Sequence, residues 1–200
     1  MRYLRRTLVV LVLLLIAAVP FAYKSVLSTS YRNLRVVDTG ILYRSGQMSR
    51  AGFERTCRER GIGTVVKLRD AGDDDKDTAR DDAQREYCEA HGIAFVRFSQ
   101  ADWSPVNGVI SGDANVRQFI DLMADPDVKK PVLIHCFAGI HRTGALVAAY
   151  RMEFDGWASA DAIAEMVSMG TPRTTFADNL LDYLRSYTPR RGLGAEHGGR

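Results

Sequence analysis

Five short runs rich in apolar and β-branched residues alternate with stretches of helical spacing, and this alternation narrows the fold more than any other feature of the chain. Leu34–Asp38, Ile41–Tyr43, Gly63–Leu68, Ile93–Phe98 and Pro131–His135 read as strands. Ser49 opens a helix that runs to Arg60 and stops at Gly61, and a second, from about Asp77 to His91, stops at Gly92. Ser111 or Asp113 caps a third that reaches about Ala124. Helices near Thr143–Phe154, Ser159–Met169 and Thr175–Tyr187 follow, the last with Phe176, Leu180, Tyr183, Leu184 and Tyr187 at helical spacing. Strands joined through helices run parallel and need cover on both sides. The fold expected is therefore α/β: a central, mostly parallel sheet flanked by helices on both faces.

The 200 residues hold one such domain and an appendage, not two ordinary cores. A formal net charge of +3 is too mild for a dedicated nucleic-acid binder, so no nucleic-acid partner is expected. Three cysteines without a CxxC pair offer neither a disulfide framework nor a zinc half-site. The appendage is N-terminal. Residues 7–23 carry no charge and follow Arg2, Arg5 and Arg6. At about 1.5 Å per residue the run reaches roughly 25 Å, enough for a thin bilayer. It reads as a signal anchor over residues 1–23, with a cleaved signal peptide or a buried helix as alternatives. The basic head favours the N-terminus inside and the domain outside, although Lys24, Arg32 and Arg35 follow closely. A linker over 24–33, a domain over 34–188 and a Gly-rich tail over 189–200 complete the division.

Most of the chemical information lies in His135-Cys136-Phe137-Ala138-Gly139-Ile140-His141-Arg142-Thr143-Gly144, between a strand and a helix. Such a turn aims successive backbone N–H groups at one point, and the helix N-terminus adds positive potential there. A cysteine at its start gains from the same field, which favours thiolate over thiol and makes a nucleophile. Arg142, after five intervening residues, can return its fork to two non-bridging oxygens. Thr143 can donate its hydroxyl to the Cys136 sulfur. Gly139 lets the backbone turn inward, and Gly144 lets the helix approach the loop.

His-Cys-x-x-Gly-x-x-Arg-Thr-Gly resembles the signature loop of the cysteine-based protein tyrosine phosphatase superfamily. The short domain is most similar to its dual-specificity branch, including atypical bacterial, plant and fungal members, and the resemblance spans roughly Leu34 to Tyr187. Leu42-Tyr43-Arg44-Ser45-Gly46-Gln47 and Val65-Val66-Lys67-Leu68-Arg69 carry it as well. It implies a phosphatase fold and a hydrolase that needs no metal and no cofactor. Cys136 is then the nucleophile, Arg142 and the amides of Phe137, Ala138, Gly139, Ile140 and His141 bind phosphate, and Thr143 assists. The acid loop of that branch matches Ser99–Pro105, which makes Asp102, 34 positions before Cys136, the proton donor. Asp102 in a mere Asx turn, and Asp113 as rival acid, are the competing readings. His135 reads as a structural partner of the loop, and His141 as either a solvated rim residue or a substrate contact.

The expected reaction is phosphoester hydrolysis through a phosphocysteine, on phosphoproteins or small phosphoesters. Phe137, Ala138 and Ile140 stand where inositide-directed variants often carry lysine, so an inositol phosphate or phosphoinositide is the alternative substrate. A rhodanese-like sulfurtransferase and an idle phosphate-binding module are further alternatives. Asp70–Asp82 holds seven aspartates against Lys76 and Arg80, a net −5 that reads as a solvated loop and helix start. Asp73, Asp75 and Asp77 have calcium-loop spacing, but Thr78 and Gln84 replace the turn glycine and closing glutamate. Cys57 and Cys88 read as buried thiols, with a disulfide as the alternative.

Overall fold

The computed structural model describes residues 30–68, 75–99, 102–171 and 175–191, together with Ile16. Strands β1 (Arg35–Asp38) and β2 (Leu42–Ser45) lead into helix α1 (Arg50–Arg60), β3 (Thr64–Leu68) and α2 (Asp75–Ala90). Then come β4 (Ala94–Phe98), α3 (Gly112–Ala124), β5 (Val132–His135), α4 (His141–Phe154), α5 (Ser159–Ser168) and α6 (Thr175–Ser186). The sheet order is β1-β2-β5-β3-β4. β1 pairs antiparallel with β2, and the other pairs are parallel. The sheet is thus mixed but mostly parallel, with the antiparallel β1 at one edge.

Alternate strand residues serve opposite faces. Val65 and Leu133 join Phe53, Ile62 and Cys88 under α1 and α2. Val66, Val132 and Ile134 meet Phe119, Leu146, Met166 and Leu180 from α3, α4, α5 and α6. The ends of α1 follow its sequence signals. Ser49 Oγ accepts from the Gly52 N–H at 3.1 Å, and Gly61 adopts φ +62°. α3 is a correction. Ser111 precedes it without capping it, and Asp113 lies inside its first turn, where its carboxylate accepts from Tyr183 at 2.8 Å and Arg117 at 2.6 Å. Tyr183 is 70 positions away, so local spacing could not disclose that demand on the carboxylate.

Cys57 and Cys88 are free and buried, which matches the expectation of buried thiols, and burial pushes each thiol up to about 12. Of the acidic run, Asp81 departs from a solvated reading: it is 1% exposed and faces Lys67 at 3.5 Å and Arg97 at 3.6 Å. The anchor expected over residues 1–23 lies outside the described residues except for Ile16. Among the described residues no helix is long and apolar enough to cross a membrane. Two edges of the expected division join the body. Asn33 reaches the Cys136 loop, and the Arg190 and Arg191 N–H groups donate to Glu153 at 2.9 and 2.8 Å.

Candidate active site

β5 delivers the loop. Val132, Leu133 and Ile134 are fully buried between the helical layers, which fixes where the strand ends and where Cys136, 3% exposed, begins the turn. The carbonyls of that turn are held from outside. Phe137 O accepts from the Gln47 N–H at 2.9 Å, and Ala138 O from Asn33 Nδ2 at 2.8 Å. Arg44 Nη2 donates to Gly139 O at 2.9 Å and to Ile140 O at 3.4 Å. A peptide whose carbonyl is anchored outward turns its N–H the other way. Four successive carbonyls are anchored, so the amides of the following residues converge on the inside of the turn. One already has an acceptor there: the Gly139 N–H donates to Cys136 Sγ at 3.2 Å.

Two glycines make this closeness possible. Gly139 has φ +71°, and a Cβ there would collide with the backbone of Ser45 and Gly46. A Cβ on Gly46 would stand 2.7 Å from Ala138 O. The role expected for Gly144 changes: a Cβ there would meet Met166 Cγ of α5 at 2.9 Å, so this glycine seats helix on helix rather than helix on loop. α4 begins at His141 after Ile140, with no side-chain cap bond, which leaves its first-turn donors to the site.

Arg142 stands at the second position of α4, half-buried, and desolvation weakens its hold on its proton. His141 is shifted down by the same cause. The Thr143 hydroxyl is buried and has no hydrogen-bond partner among the described residues, so the expected bond to sulfur is not made in this state. His135 is fully buried. Desolvation, and then the nearby Lys67 charge, push it down to about 3, so the ring stays neutral; neither ring nitrogen has a hydrogen-bond partner among the described residues, so the expected bond to the loop is not made. Lys67, on β3 in register with His135, donates to Gln47 Oε1 at 3.0 Å. It thereby steadies the residue that holds Phe137 O.

Asp102 lies on a separate segment that Trp103 ties down. Trp103 is 1% exposed and stands against Tyr183 at 5.1 Å between ring centres. Ser111 Oγ accepts from the Asp102 N–H at 2.8 Å, and Asn179 Nδ2 donates to Ser104 Oγ at 3.0 Å. The Asp102 carboxylate is exposed and accepts from the Ser104 N–H at 3.0 Å. That bond holds the carboxyl below its usual range. In this state Asp102 therefore makes the Asx turn that competed with its acid role. The structure brings Cys136, Phe137, Ala138, Gly139, Ile140, His141, Arg142 and Thr143 together in one turn, and ties Asp102 to α3 and α6. Sequence reasoning missed the supports, Asn33, Arg44, Gln47 and Lys67. Three of them lie in motifs that carry the resemblance, Arg44 and Gln47 in Leu42–Gln47 and Lys67 in Val65–Arg69, and those motifs are the signal available.

A thiol and guanidinium in a strand-to-helix anion cradle, on this sheet, define a cysteine-based phosphatase of the dual-specificity class. The chain belongs to the family described as DSP-PTPase phosphatase fused to NAD+ kinase, whose model matches residues 21–179. No curated protein matches its sequence. Among solved structures, the Siw14 catalytic core is 18% identical, covers 79% of this chain and 86% of its own, and superposes with a TM-score of 0.60. P. aeruginosa TpbA is 21% identical over 78% of this chain and 91% of its own, with a TM-score of 0.57. PTPMT1 is 16% identical over 76% and 94%, with a TM-score of 0.53. These identities establish a shared fold.

Proposed function

We propose that this phosphatase acts on phosphotyrosyl and phosphoseryl/threonyl proteins, with Cys136 as nucleophile. The anchored orientation of the Phe137–Ile140 carbonyls is the observation that carries the reading, because it prepares an anion site before any anion arrives. The Cys136 sulfur forms a bond to phosphorus as the bond to the leaving oxygen breaks, and Asp102 gives its proton to that oxygen. Arg142 and the loop amides hold the three remaining oxygens. Water then attacks phosphorus, Asp102 takes the water proton, and the sulfur departs with help from the Thr143 hydroxyl. Inorganic phosphate leaves and the thiolate is restored. To serve as an acid, Asp102 must exchange its Ser104 bond for the vicinity of the substrate dianion, which favours the protonated carboxyl.

The uncharged Phe137, Ala138 and Ile140 support a protein substrate over inositol phosphates, since they bring no second cation to the cradle. TpbA has been crystallised with phosphotyrosine in a cysteine-to-serine form, which supports the same reading. SIW14 from S. cerevisiae is described as a PP-IP phosphatase and PTPMT1 has been crystallised with PI(5)P, so inositol-based substrates are the second reading. Residues 1–23 are proposed to anchor the chain in a membrane with the catalytic domain outside, on the strength of their apolar run and basic head. The deciding experiment is phosphate release by the full chain from phosphotyrosyl and phosphoseryl peptides, a phosphoinositide and inositol phosphates. Phosphotyrosyl peptides should turn over fastest, unaffected by a chelator. Sulfur transfer from thiosulfate without phosphate release would overturn the reading. Protease added to intact cells should digest the domain; protection until lysis would reverse the orientation.

A further inference from the structure

A cavity of about 620 Å³ lies beside the catalytic turn, between the start of α1 and the middle of α2. Its volume is that of a site for a sizeable organic group. Phe137, the residue after Cys136, stands on its rim at 44% exposure with the Arg32 guanidinium 4.2 Å above its ring. The cavity therefore opens where a substrate leaves the phosphate cradle.

Its walls come from identifiable residues. On α2, Ala79 and Ala83 are one turn apart and too small to fill the gap toward α1. Met48, Phe53 and Tyr87 supply apolar surface. Gln84, 6% exposed, closes the floor of the same space. Arg50 borders the cavity too, in an exposed pair with Glu54 at 2.7 Å that contributes little and yields to a competing carboxylate.

We propose that this cavity is a specificity subsite for the residues flanking phosphotyrosine in an acidic peptide. The inference rests on the reading that the Cys136 turn holds the phosphate. A peptide supplies both features the walls ask for. An apolar side chain fills the space beside Ala79, Ala83 and Tyr87, and an acidic side chain meets Arg32 and Arg50. Inositol phosphates bring hydroxyls and charge but no apolar body, and leave most of this surface unused.

The test compares two phosphotyrosyl peptides on the full chain. One has leucine and glutamate beside the phosphotyrosine; the other has glycine and lysine in those places. The parent should prefer the first by at least tenfold in kcat/KM, mostly through KM. Ala83→Trp, which fills the cavity, should bring that ratio to within threefold of one. Where Ala83→Trp does not fold, Ala79→Phe, at an exposed place on the same helix, tests the same point. A parent ratio near one, or a preference that survives filling, overturns the subsite. Hydrolysis of para-nitrophenyl phosphate that depends on Cys136 keeps the phosphatase reading standing in that event; its absence would sink both.

Discussion

Replacing Arg44 removes the support beneath the catalytic turn without touching any group that meets phosphate. Its side chain is 2% exposed and holds Gly139 O at 2.9 Å and Ile140 O at 3.4 Å. Burial weakens its hold on its proton, and Glu165 and then Cys136 oppose that shift, so the guanidinium lies in the field of the sulfur as well. Hydrogen bonds from a charged donor contribute about 1.5–3 kcal/mol each, and at 3.4 Å the second is weak, so the count is one strong bond. If that energy goes into orienting the turn, its loss lowers kcat/KM by roughly 10- to 150-fold. Arg44→Lys keeps the charge and shortens the reach, so it should fall in this range; Arg44→Met should lie at its upper end. Asn33 makes a comparable bond to Ala138 O, but in an exposed place, so Asn33→Ala should cost only about two- to fivefold. The assay is para-nitrophenyl phosphate turnover alongside vanadate affinity, corrected by the fraction folded from thermal unfolding. Loss of the cradle should weaken vanadate in parallel with kcat/KM. Arg44→Met within threefold of the parent in both, or a loss explained wholly by unfolding, would refute the reasoning.

Cys136→Ser should abolish turnover while retaining substrate binding, and Arg142→Lys should be severely impaired because an ammonium lacks the bidentate fork; near-parental kinetics in either would mean the turn is misassigned. Asp102→Asn should slow alkyl phosphates by roughly 10²–10⁴-fold and an activated aryl phosphate far less, and should remove the acid-assisted limb of the pH–rate profile. Asp113→Asn keeps an acceptor for Tyr183 and should leave turnover nearly unchanged; the reverse pattern would transfer the acid role to Asp113. His135 stays neutral in the fold down to about 3, whereas an unfolded histidine takes a proton near 6.5. Its contribution is therefore complete above about pH 6.5 and declines by about 1.4 kcal/mol per pH unit as pH falls through that window. Urea unfolding at pH 7 and pH 5 should show the parent losing about 2 kcal/mol more than His135→Asn; equal losses would contradict the buried neutral ring.

What the sequence disclosed and what it hid divide by distance along the chain. Gly61 and Gly92 end α1 and α2 in left-handed conformations, and Ser49 caps α1 through a bond three residues on. Those are local demands, and local residues answer them. The Cys136–Arg142 turn was legible for the same reason, since a strand, a glycine at positive φ and a helix start all fall within ten residues. The supports were not. Asn33 lies 105 positions from the carbonyl it holds and Arg44 lies 95; the β2–β5 pairing brings Arg44 there, and Asn33 comes from the turn before β1, which pairs with β2. Asp81 reads as solvated because its neighbours are aspartates. Its partners Lys67 and Arg97 arrive from β3 and β4, and burial follows from the sheet rather than from α2.

The same division explains why the site is ready before phosphate arrives. Every anchor on the turn acts on a carbonyl from outside, so the inward direction of the amides does not depend on a bound anion. Inward N–H groups without an acceptor would cost the fold heavily in a buried place. The Cys136 sulfur meets part of that need by accepting from Gly139 at 3.2 Å. On the proposed roles, nucleophile and cradle stabilise one another in the resting enzyme, and a phosphoester enters by taking over amides that the fold has already turned. It follows that Cys136→Ser, whose oxygen lies closer to Cβ than the sulfur and reaches less far toward those amides, should loosen the turn without ligand and recover order on binding phosphate or vanadate. Amide exchange at Gly139, slower with oxyanion than without, would show it. A turn equally protected in both states would mean that the outward anchors suffice alone.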